Sequence, residues 1–340
     1  MNSERALLVA TGGGIGDTLL AGVVARALHT RYAHVDALVL PAHRDLATRI
    51  PDIGAVDVFD GSVFEVAQRL RAQRYDAAVV TWATLQTALV PFLAGIPVRV
   101  GQARRLYSAL FTARVAVRSE AGDRTTHWTQ ILLDYARAIG CDVLHATPAF
   151  EPTDDDRAAA AALLAQHAIS GPYALLHATR GLSADHARWP IVGFVELMRA
   201  LARREHVPLL LSGSPADAPI VQAIAAAAGG AAISIAGETS IGAFGALASG
   251  ARYVLAMDSG PMHVAAAVGA PTVGIFALQS DEPERWAPLG RATAVVRASY
   301  PCPPQHRKET CPNFACVREL DVGTILAALD GLLPTPAEIG

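Results

Sequence analysis

Lysine is almost absent from this chain: Lys308 stands alone among 28 basic residues, and the rest are arginine. Acidic residues number 31, so the net charge is -3 and no cationic excess marks a nucleic-acid-binding protein. The arginine bias runs through the whole sequence and is a matter of composition rather than function. Cysteine is scarce too, with four in 340 residues, which excludes a secreted scaffold built on disulfides. Charged residues make up only 17% against 52% hydrophobic, and that balance excludes global disorder. A clean membrane span is also lacking. The uncharged stretch from Ala77 to Val98 is long enough, but Thr81, Thr84, Gln86, Pro91, Gly95 and Pro97 interrupt it. It reads as a buried strand followed by a helix. The opening MNSERALLVATGG has five apolar residues behind Glu4 and Arg5, far short of a signal-peptide core, so the expected location is the cytoplasm.

What the sequence does contain is one unit repeated: a short apolar run, a glycine-bearing turn, then an amphipathic helical stretch. Ala6–Ala10, Ala37–Leu40, Val56–Phe59 and Ala77–Thr81 are strand candidates, with helices expected from about Thr18 to Arg31 and over Phe64–Arg74. The pattern breaks at Pro148–Asp156, where two prolines and an acidic run form a linker into an Ala-rich helix, Asp154–His167. The unit then restarts. Strands are expected at Tyr173–His177, Pro208–Leu211, Ala232–Ile235, Tyr253–Ala256 and Thr272–Phe276, with helices at Val192–Arg204, Ile220–Ala228 and Val322–Leu333. Strands alternating with helices predict parallel sheets, and a chain of this length holds two α/β domains.

Two loops carry chemistry. The first is Gly12-Gly13-Gly14-Ile15-Gly16-Asp17, after the first strand and opening the first helix. A dinucleotide fingerprint fails there, because Gly12-x-Gly14 requires a small third residue at position 17 and Asp17 would repel a pyrophosphate. Asp17 has two compatible readings: a cap of the helix start, or a general base at the carboxyl end of a strand, where α/β sheets place ligands. The second loop is Met257-Asp258-Ser259-Gly260-Pro261-Met262-His263, after a strand and opening a helix of small residues. A helix start with bare N–H groups suits a diphosphate, and Asp258 suits sugar hydroxyls. His263 alone would read as an ordinary buried or surface histidine; its place after Asp258-Ser259-Gly260 brings it to the site.

With GDTLL near one end and MDSGPMHVAAAVGAPTVGIF near the other, the sequence resembles glycosyltransferase family nine, the ADP-heptose:lipopolysaccharide heptosyltransferases. LLHATR at Leu175–Arg180, RWP at Arg188–Pro190, LSGSPAD at Leu211–Asp217 and the Cys-rich ending extend the likeness over nearly the whole chain. The resemblance implies a GT-B architecture: two Rossmann-like α/β domains with parallel sheets facing across a cleft. Residues 1–150 would bind the acceptor and 151–320 the nucleotide sugar, with 321–340 crossing back to the first domain. It implies metal-independent, inverting transfer of heptose from ADP-heptose, with Asp17 as catalytic base and no cofactor. Thr179, Arg180, Arg188, Asp217, Asp258, Ser259, Gly260 and His263 match the donor site, and Gly14 and Gly16 the acceptor side. The departures are Ala187 where the family has a phosphate-binding lysine, Asp217 where it has Glu, and a longer stretch between Arg180 and Arg188. They keep open another sugar nucleotide, another acceptor such as a protein or natural product, or a non-catalytic relative.

Between Asp76 and Glu120 there is no acid, and Arg99, Arg104, Arg105, Arg114 and Arg118 fall in or beside that interval. Arg99, Arg104 and Arg105 are expected to clamp an anionic glycan; the plain alternative is a solvated loop. A lipid-linked acceptor would bring the chain to the inner face of the membrane. Cys302, Cys311 and Cys316 with His306 do not match zinc-knuckle spacing, and are expected to be reduced thiols packing a loop.

Overall fold

The computed structural model describes residues 4–145, 147–178, 189–278, 282–303, 311 and 313–333. The chain divides into two compact units, Met1–Glu151 and Pro152–Gly340. Among the described residues each unit carries one six-stranded sheet, and every pairing of neighbouring strands is parallel.

In the first unit the strands are β1 (Arg5–Ala10), β2 (His34–Val39), β3 (Val56–Val58), β4 (Ala77–Val80), β5 (Val98–Gln102) and β6 (Ala113–Val115), ordered β3-β2-β1-β4-β5-β6. β1 and β4 sit centrally and are buried along almost their whole length, as strands covered on both faces must be. The helix that follows β1, Ile15–Leu28, is buried nearly all round and packs against β1 and the helix Trp128–Arg137. A helix without a polar face needs cover on every side. One polar group holds the amino ends of the strands together. Buried Asp36 on β2 accepts from the Arg5 guanidinium at 2.6 Å, the Tyr75 hydroxyl at 2.9 Å and the Ala55 amide at 2.8 Å.

In the second unit the strands are β7 (Ala174–His177), β8 (Leu209–Ser212), β9 (Ile233–Ser234), β10 (Val254–Met257), β11 (Thr272–Phe276) and β12 (Thr293–Arg297), ordered β12-β11-β10-β7-β8-β9. The unit opens with the helix Asp154–Gln166, whose Thr153 cap and Asp156 satisfy each other's backbone N–H groups in a capping box. Counting from each unit's own first strand, both sheets have the order 3-2-1-4-5-6. That is the Rossmann arrangement, with its switch point between the first and fourth strands.

The strands β5, β6 and β12 escape a search for apolar runs, because each carries arginine and lacks a pure apolar run. The last described helix, Val322–Asp330, packs within the second unit. Its Ile325 and Leu329 are fully buried in that unit's core, against β11, β12 and the helix Ile191–Glu205.

Candidate functional site

In the first unit the switch point lies between the carboxyl ends of β1 and β4, and the loop after β1 leads straight into the helix Ile15–Leu28. Gly14 is the residue at the head of that helix and Asp17 is its third helical residue. Asp17 Oδ2 accepts from the Gly14 amide at 2.8 Å, so the carboxylate folds back over the loop. Gly13 has φ +70°, and a Cβ there would lie 2.2 Å from Asp17 Oδ2. The second glycine of the run is therefore dictated twice, by its backbone angle and by the carboxylate packed on it. Asp17 serves as a cap of its own helix while remaining half-buried at the sheet edge. Burial pushes its carboxyl pKa up, against the pull of the Gly14 amide, its own amide and the nearby His43. Desolvation is the larger effect.

Two neighbours of Asp17 were not singled out from sequence. His43, after β2, is buried and its Nδ1 shares a 2.8 Å hydrogen bond with Thr18 Oγ1. Burial lowers its pKa, and Asp17 pulls it back up. Trp82, after β4, lies against Gly12, where the ring occupies the space a Cβ would need. Neither the ring nor the imidazole is close to Asp17 in sequence. Strand order brings them there.

Of the predicted acceptor residues, Gly14 is exposed and Gly16 is buried within the helix start. Arg99 does not join them. It sits near the amino end of β5, and its guanidinium donates to the carbonyls of Leu110 (2.8 Å) and Ile96 (2.5 Å) while stacking over Phe92. It ties a loop shut. Arg118 is likewise engaged, by Asp134. Arg104 and Arg105 stand exposed in the turn that follows β5, on the same carboxyl edge as the Asp17 loop. Of the three arginines expected to act together, only these two stand at that edge.

In the second unit the switch point lies between β7 and β10. Asp258 and Ser259 follow β10 and start the helix Gly260–Ala267. The Asp258 amide donates to Ile275 O, which fixes the loop against β11. The Ser259 hydroxyl donates backward to Met257 O at 2.8 Å and makes no cap to the helix amides. The helix start is therefore uncapped by its own Ser259 side chain. His263 is buried on the same helix. Thr179, Arg180 and Arg188 lie outside the described residues.

Asp217 is buried in the turn after β8, and its Oδ2 accepts from the Ser214 amide at 3.1 Å and the Ser214 hydroxyl at 2.5 Å. One carboxylate oxygen thus closes the turn that was expected to belong to the donor site. The sequence reading also passed over His177, the last residue of β7. It is buried edge-on to Phe244 with its Nδ1 3.1 Å from Ser212 Oγ. Burial lowers its pKa to about 4 against the opposing pull of Asp217, so the imidazole is neutral near pH 7. It supports the carboxyl end of β7.

Cys302, Cys311 and Cys316 form no disulfide, and burial with the other two thiols nearby raises the pKa of Cys302. Among the described residues no group of three or more His, Cys, Asp or Glu side chains is placed to hold a metal ion.

The model for glycosyltransferase family 9 (heptosyltransferase) matches residues 63–314. Lipopolysaccharide heptosyltransferase 2 of Salmonella typhimurium is 27% identical over 311 residues, covering 83% of this chain and 85% of the relative. Among solved structures, the E. coli ADP-heptose LPS heptosyltransferase II superposes with a TM-score of 0.76 at 22% identity, covering 96% of this chain and 99% of that one. A glycosyl transferase family 9 protein from Veillonella parvula superposes with a TM-score of 0.86 at 18% identity, covering 98% of each chain.

Proposed function

The chain belongs to glycosyltransferase family 9, the heptosyltransferase family, and from that premise we propose that it moves a heptose from ADP-heptose to a hydroxyl of a lipopolysaccharide-core acceptor. The observation that carries this reading is Asp17: a half-buried carboxylate held by Gly14 at the switch point of the first sheet, beside an exposed tryptophan. The acceptor hydroxyl gives its proton to Asp17 as its oxygen attacks the anomeric carbon. A new C–O bond forms on one face of the sugar while the bond to the diphosphate breaks on the other. ADP leaves with the electron pair, and the configuration inverts.

In the second unit the helix start at Gly260 meets the leaving diphosphate, and Asp258 takes sugar hydroxyls. Arg180 and Arg188 supply the cationic charge that a metal-independent departure needs. Arg104 and Arg105 meet anionic groups on the acceptor. The heptosyltransferase named for ADP-heptose that shares this fold supports the choice of donor.

Thermal stability with ADP-heptose, UDP-glucose, GDP-mannose and NADH, without added metal, tests the donor. ADP-heptose alone should stabilise the protein, and Asp258→Ala should remove that shift. Asp17→Asn should keep the shift and lose turnover by roughly a hundredfold or more. Preference for another nucleotide would sink the heptose assignment, and turnover surviving in Asp17→Asn would remove Asp17 as the base.

A further inference from the structure

The uncharged stretch Ala77–Val98 folds as β4 and the helix Leu85–Leu93, and that helix leaves one side uncovered. Thr87, Ala88, Val90 and Pro91 are buried. Leu85 (56% exposed), half-buried Leu89 and Phe92 (46% exposed) stand outward. Their spacing of four and then three residues puts them on one stripe. A surface helix ordinarily carries charge on such a stripe, and this one has no charged residue at all.

The stripe does not end with the helix. Trp82, 45% exposed, precedes it, and Leu106 in the next turn is 99% exposed. The two loops are joined: the Tyr107 hydroxyl donates to Ala83 O at 2.5 Å and the Gln102 amide to the same carbonyl at 3.3 Å. Leu106 opens a short 3-10 turn that packs on the helix, with the Arg105 amide bonded to Ser108 Oγ, so it is held outward by structure. Arg104 and Arg105 flank it. Arg104 has Glu120 at 3.9 Å, and among the described residues no carboxylate pairs with Arg105.

We propose that this face, Trp82, Leu85, Leu89, Phe92 and Leu106 rimmed by Arg104 and Arg105, docks on the surface of an anionic lipid bilayer. Apolar and indole side chains enter the boundary between headgroups and chains while arginines meet lipid phosphates. Among the described residues no helix is long and apolar enough to cross a membrane, so the contact is on the bilayer and not through it. A second copy of the chain fits the face less well. A two-fold contact lays the same patch against itself, and residues 77–119 contain no carboxylate to answer the arginines. The inference rests on the reading that the acceptor is lipid-linked, since the same sheet edge carries the Asp17 loop.

Flotation of the purified full chain with vesicles of phosphatidylcholine alone, or mixed with phosphatidylglycerol, tests it with neither donor nor acceptor present. Binding is expected to the anionic vesicles, to weaken with salt, and to fall roughly tenfold or more in Leu85→Glu/Phe92→Glu. That double variant should melt like the parent and turn over a delipidated acceptor at the parent rate. No flotation of the parent, or equal flotation of the variant, overturns the proposal. So does a dimer that the variant dissociates without any vesicle binding. Because flotation needs no turnover, a chain that binds vesicles but transfers no heptose separates this inference from the glycosyltransferase reading.

Discussion

Asp17, the proposed base, is held at odds with its own stability. Its carboxyl is desolvated by the loop it caps, and the folded-state pKa lies above the unfolded one. An acid with a raised pKa is best tolerated when protonated, so the folded state loses stability as pH rises from the unfolded value through the folded one. Asp17→Asn should therefore melt at the same or a higher temperature than the parent near pH 7. The advantage should shrink as pH falls into the acid range, and a variant less stable at neutral pH would show that hydrogen bonding outweighs burial there. For turnover the sign is opposite: activity falls as pH drops through the raised pKa, because a base must be deprotonated. Gly13 and Trp82 belong to the same balance, since both press the carboxylate loop into its one conformation.

At the scale of the elements, strand ends do the positioning. β7 ends on a buried His177 that shares a hydrogen bond with Ser212 at the end of the adjacent β8. Its pKa is lowered to about 4, from an ordinary value of 6.5. The folded state holds this imidazole neutral, so stability is present above pH 6.5 and is lost as pH falls toward 4. The loss should reach roughly 3 kcal/mol at most, by proton linkage. Chemical denaturation across that window should show it, and His177→Gln should flatten the slope; an unchanged slope would assign the acid sensitivity to other groups. The strands that sequence missed make the same point about elements. β5, β6 and β12 include arginines, which hide them from a search for apolar runs, while the buried runs of β1, β4, β7, β10 and β11 are plain.

For the whole molecule, two sheets with separate cores imply two units whose stabilities a ligand can pull apart. A nucleotide bound only by the second unit stabilises only that unit, by about 2.7 kcal/mol at a hundred times its dissociation constant. Denaturation with saturating ADP should then become biphasic. Tryptophans report on each half, with Trp82 and Trp128 in the first and Trp189 and Trp286 in the second. A single transition that moves as a whole would mean that the units unfold together.

The sequence by itself determined the α/β class, the two-part organisation and the two glycine-bearing loops, because a buried parallel strand needs a continuous apolar run and a ligand-facing helix start needs small residues. It also carried the resemblance to family nine in motifs local enough to read. Only the tertiary structure decided what each polar side chain answers to. Arg99 lies in the same basic segment as Arg104, yet it closes on the carbonyls of Ile96 and Leu110 while Arg104 stays at the sheet edge. Trp82 reaches Gly12 and His43 reaches Thr18 across strands that are neighbours only after folding. Partners of this kind are set by strand order, and strand order is a property of the assembled sheet that no local run of residues contains.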